Sequence, residues 1–83
     1  MTTTPTTTEP FCAALGRVIA DRRLAAGLTR HQLAEQLGTT EERLASVEAG
    51  DMVGFFLPDM VDLARALGSD IVAIVREAEA LTA

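Results

Sequence analysis

The stretch from Gly27 to Gly50, GLTRHQLAEQLGTTEERLASVEAG, leaves this chain little freedom in how it folds. Thr29 precedes an apolar-periodic run and Gln32 follows three residues on. In that pattern each side chain accepts from the other's backbone N–H at a helix start. Leu33, Ala34 and Leu37 recur at helical spacing, and Gly38 supplies a left-handed stop. Thr40 can cap a second helix that faces Leu44, Val47 and Ala45 inward and ends at Gly50 as the first ends at Gly38. Gly38-Thr39-Thr40 is a connection short enough to force a steep crossing. Two helices so joined have the layout of a helix-turn-helix, spanning about residues 29–49.

The flanks extend the same pattern. Residues 1–9 are rich in Thr and Pro and are expected to be a disordered tail, leaving 10–83 as the domain. Pro10 suits the first turn of a helix carrying Phe11, Leu15, Val18 and Ile19 inward and ending near Gly27. Pro58 suits the start of a fourth helix with Met60, Val61, Ala64 and Leu67 on its buried side, stopped by Gly68. Ser69 is then placed to cap a fifth helix with Ile71, Val72, Ile74, Val75 and Leu81. No segment alternates with period two, so the expected fold is all-α, a compact domain of five helices. At 83 residues there is room for one small core, and with aromatics at 4% Leu, Ile, Val and Ala must fill it.

Other classes of function find little support. One His and one Cys do not make a metal site, and no cofactor is expected. Cys12 cannot form an internal disulfide, which suits a reducing cytoplasm; it is expected as a small hydrophobe on the first helix. The start MTTTPTTTEP has no secretory core, and no apolar run is long enough for a bilayer. The expectation is a cytoplasmic protein that is not an enzyme, since no acid–base pair, nucleophile motif or phosphate loop is present.

Over residues 14 to 80 the chain resembles the lambda-repressor-like helix-turn-helix family, also called Cro-type or XRE-type. The resemblance rests on Leu15, Gly16 and Ile19, then Arg23, Gly27-Leu28-Thr29, Leu33-Ala34-Glu35, Leu37-Gly38, Val47-Glu48, Gly50 and Leu63-Ala64-Arg65-Ala66-Leu67-Gly68. It implies a DNA-binding transcriptional regulator, a repressor-like homodimer that lays its third helix in the major groove of double-stranded DNA. Carried over by position, phosphate contacts fall to Thr29, Arg30 and His31. Base-facing positions fall to Thr39, Thr40, Glu41, Glu42, Arg43 and Ser46. Arg23 and Glu48 stand where the family links its first helix to the reading helix through a partly buried ion pair.

Charge pulls against that implication. All seven basic residues are Arg, and between residues 17 and 68 six of them face eight carboxylates, within a chain of net charge −5. DNA affinity comes largely from cations that neutralise phosphates. Glu41 and Glu42 open the third helix, where they either complement the helix dipole or accept from cytosine N4. Arg17, Arg22 and Arg30 are candidates for a compensating positive patch. Residues 51–56, DMVGFF, depart from the basic, Asn-Pro-containing loop usual in the family and are about one residue longer. The alternative is therefore a helix-turn-helix repurposed as a protein-interaction module with weak or no DNA binding. Phe55, Phe56 and Leu57 exceed what a small loop needs to pin itself, and Ile71, Ile74 and Val75 crowd one short helix. These six are candidates for a dimer or partner interface, unless one Phe plugs the domain's own core.

Overall fold

From the end of the first helix to the start of the last, each helix boundary can be traced to a local hydrogen bond. The computed structural model describes residues 8–82, so the expected tail lies outside the described residues up to position 7. Five helices follow one another: α1 (Thr8–Ala25), α2 (Arg30–Leu37), α3 (Glu41–Glu48), α4 (Leu57–Ala66) and α5 (Ile71–Thr82). No strand occurs among the described residues.

The caps of the central motif form as the sequence requires. Thr29 Oγ1 accepts from the Gln32 N–H at 3.1 Å, and Gln32 Oε1 accepts from the Thr29 N–H at 2.9 Å. Gly38 adopts φ 70°, which lets the Thr39 N–H turn back onto the Ala34 carbonyl at 3.0 Å and close α2. The same six-residue closure ends the next helix, where the Asp51 N–H reaches the Ser46 carbonyl at 2.9 Å. Thr40 Oγ1 accepts from the Arg43 N–H at 3.1 Å and starts α3.

Three boundaries differ from expectation. Helix α1 begins at Thr8, so Thr8 and Glu9 belong to the helix; Pro10 still lies in its first turn, where a missing N–H costs nothing. Helix α4 begins at Leu57, with the Asp59 carboxylate accepting from the Phe56 N–H at 3.0 Å. Asp70, not Ser69, caps α5, its Oδ1 accepting from the Ala73 N–H at 2.9 Å. The Ser69 N–H is committed to closing α4 on the Ala64 carbonyl, which places Ser69 one residue too early to cap.

The core draws on every helix. Ile19, Leu33, Leu44, Val47, Leu63 and Ile74 are its fully buried large side chains, joined by Leu15, Val18, Ala34, Met60, Ala64, Leu67 and Ala78. Truncating one of the large ones to Ala costs about 2–5 kcal/mol in such a setting. Leu63, which the expected inward face of α4 omitted, is among them. Helix α1 packs most extensively on α5 and next on α3. Its approach to α3 is close because Gly16 has no side chain: a Cβ there would stand 2.5 Å from the Glu48 carbonyl oxygen.

Several residues expected at an interface are inside. Ile74 is completely buried, so it belongs to the domain's own core and is withdrawn from the interface set. Phe55 and Ile71 pack against that core as well, and Val75 is half-buried. Val72 and Leu81, also on α5, are more than half exposed. The two rings of the α3–α4 loop thus divide: Phe55 plugs, while Phe56 is 70% exposed beside exposed Val53 and Leu57. No described helix is long and apolar enough to cross a membrane.

Candidate nucleic-acid interface

Helix α3 determines what the domain can present. Leu44, Val47 and Glu48 are its buried residues. Successive residues advance by about 100° around an α-helix, so the ridge opposite that buried set consists of Glu42, Ser46 and Ala49. All three are exposed. Thr40 is exposed at the start of the helix, its hydroxyl already used as the cap. The remaining expected base-facing residues sit to either side. Arg43 donates through Nη2 to the Gly54 carbonyl, which holds it against the α3–α4 loop. Half-buried Thr39 lines a cleft with Arg43 and Phe55. Glu41 turns toward α2, where its Oε1 lies 3.4 Å from His31 Nδ1.

Of the six residues expected to face bases, Glu42 and Ser46 lie on the outermost line of α3, where Ala49 joins them. Ala49 was not among the residues expected to face a base. Its signal was present: it lies seven residues after Glu42, two turns along the same face.

The flanking cations are held by carboxylates. Glu48, with a side chain only 2% exposed, accepts from Arg23 Nε at 2.7 Å and from Arg23 Nη2 at 3.2 Å. Arg23 also donates through Nη1 to the Leu28 carbonyl at 2.9 Å, tying the end of α1 to the entry of α2. The expected ion pair is thus formed and is buried. It has a third member: Arg30 donates through Nε to Glu48 Oε1 at 2.9 Å. The Arg30 side chain remains 47% exposed, and its terminal nitrogens have no hydrogen-bond partner among the described residues. One carboxylate between two guanidiniums leaves the cluster with a net positive charge at the start of α2.

His31, the next residue, lies between two carboxylates, with Nε2 3.7 Å from Glu35 and Nδ1 3.4 Å from Glu41. Arg22 is paired with Glu77 of α5, so of the expected Arg17–Arg22–Arg30 patch only Arg17 has no ion-pair partner among the described residues. No group of residues suited to hold a metal ion occurs among the described residues.

A capped, short-turned helix pair with the outer ridge of its second helix bare, inside five helices and buttressed by a buried Arg–Glu pair, defines a helix-turn-helix domain of the XRE/Cro type. The family model described as "Helix-turn-helix domain" matches residues 14–81, and the chain belongs to that family. Among solved structures the chain is similar to the hydroxypropylphosphonic acid epoxidase from S. wedmorenis, with a TM-score of 0.72 and 29% identity over 83% of this chain and 35% of that one. It is similar also to apo-HppE and to FeII HppE in complex with substrate, each with a TM-score of 0.70 and 29% identity over 75% of this chain. The likeness covers 34% and 36% of those two chains, so this chain spans about a third of the length of each matched structure. No curated protein matches it.

Proposed function

We propose that this domain binds duplex DNA as a small transcriptional regulator, acting as a homodimer without catalysis of its own. The observation that supports this best is the bare ridge of α3. Glu42, Ser46 and Ala49 face outward, and the helix N-terminus is capped by Thr40 rather than covered by another element. In helix-turn-helix proteins that end of the second helix meets base edges in the major groove. The Thr29 entry and the outward nitrogens of Arg30 flank it, where phosphates pass in this docking geometry. Recruiting Arg30 to a phosphate does not strand Glu48, because Arg23 still neutralises that carboxylate.

The test is retention of random-sequence duplex at about 50 mM salt, followed by a salt titration. Binding should weaken steeply with salt, the logarithm of affinity falling by about 0.9 per phosphate neutralised for each decade. Arg30→Ala should lower that slope by about one and weaken binding to all sequences alike, with the domain still folded. Arg43→Ala should weaken binding too, since exposed Arg43 stands at the edge of the ridge and can exchange the Gly54 carbonyl for a phosphate. Unchanged affinity in both variants would mean that the DNA face lies elsewhere.

A second reading has its own support. Glu41, Glu42 and Glu35 crowd the ends of the two motif helices, Arg43 is turned onto the loop, and Val53, Phe56 and Leu57 form an exposed apolar strip. The structural neighbours also carry this fold as part of an enzyme. A protein-interaction module would present such a surface, and no retention of duplex at low salt would favour it.

A further inference from the structure

We infer that Glu42 is the specificity-determining residue of the reading ridge and that it selects cytosine at one position of the bound site. The inference rests on the DNA-binding reading and specifies what that surface recognises.

Of the four long polar side chains at the entry of the ridge, three are engaged. Glu41 faces His31, Arg43 is held by the Gly54 carbonyl, and Arg30 is held by Glu48. Glu42 makes no hydrogen bond and no ion pair among the described residues, is exposed, and stands on the outermost line of α3, one turn before Ser46. It is the side chain that meets a base edge first.

Its chemistry restricts that base. An ionised carboxylate only accepts hydrogen bonds. The major-groove edge of guanine offers the acceptors N7 and O6, and thymine offers O4 and a methyl group. Against either, a desolvated carboxylate meets like partial charge and loses its water without replacement. Donors are found at cytosine N4 and adenine N6, and in adenine the N6 group lies beside the acceptor N7, which repels the second carboxylate oxygen. Cytosine is left as the base that Glu42 tolerates best.

Phosphate repulsion lowers affinity without itself discriminating between bases. A carboxylate in the groove weakens binding to every sequence, and only a donor at the right position offsets that loss. Ser46 can both donate and accept and so discriminates little. Ala49 offers a methyl group, which suits an apolar neighbour such as the thymine methyl.

The experiment is selection from a randomised duplex library at low salt by the full chain and by Glu42→Gln. An amide both donates and accepts and fits adenine N6 and N7 together. The wild-type pool should fix a G·C pair at one position of each half-site, favoured about ten-fold over an A·T pair. In the E42Q pool an A·T pair should replace it while the rest of the site stays the same. General affinity should rise in E42Q because a negative charge is removed, so base preference is the deciding readout. Identical base preferences for the two proteins, or an A·T pair fixed by the wild type where the two pools differ, would overturn the assignment of Glu42 while leaving DNA binding intact. Failure of either protein to retain any duplex at low salt would overturn the DNA-binding reading, and this inference with it.

Discussion

The carboxylate of Glu48 shows how much one residue can organise in a small domain. It is buried at the end of α3 and gripped by Arg23 from α1 and Arg30 from α2, so three helices meet at one charge. Removing a single partner from such a cluster is costly, since a buried charge is left without full compensation. Glu48→Leu should destabilise by about 3–5 kcal/mol, leaving Arg23 with the Leu28 carbonyl alone. The double variant Arg23→Met with Glu48→Leu should lie closer to the wild type than Glu48→Leu does. Urea denaturation of the set checks this, and a double variant that merely adds the two single losses would show that the residues act independently.

At the scale of the helices, the tightest constraint is the contact of α1 with α3. Gly16 lets the backbones touch, and the atoms that a new Cβ would meet are the carbonyl oxygens of Glu48 and Val47 rather than a flexible side chain. Gly16→Ala should therefore lower stability by about 1–3 kcal/mol by pushing the reading helix outward, despite the better helix propensity of Ala. Thermal unfolding measures it; a variant as stable as the wild type would mean that α3 yields easily. The elements themselves were legible because their ends are written in short-range chemistry. Thr29 with Gln32, Thr40, and the glycines at 38 and 50 each act within a few residues of chain. The Asp70 cap was not legible, because the choice between Ser69 and Asp70 depends on where the preceding helix closes. The burial of Ile74 beside exposed Val72 depends on which side of α5 meets α1, a tertiary fact that a helix apolar on several faces does not reveal. At the candidate site, the positions on α3 could be read but their partners could not: Arg43 on Gly54 and Arg30 on Glu48 join residues 11 and 18 apart in sequence.

At the scale of the molecule, the acidic-edged ridge of α3 and the apolar residues of the α3–α4 loop are both left facing outward. On the proposed homodimer, Val53, Phe56 and Leu57 are candidates for a symmetric contact, alongside exposed Leu24, Val72 and Leu81, with Phe55 and Ile71 committed to the core. Phe56→Asp should reduce the mass seen in equilibrium sedimentation by about half without unfolding the chain, whereas an unchanged mass would remove this loop from self-association. The shared grip on Glu48 has a further consequence on the DNA-binding reading. A reading helix pinned from two directions does not reorient to suit its site, so the duplex has to supply the adjustment. Base steps that bend or unstack easily around the contacted positions then become part of what is selected, at places no side chain touches.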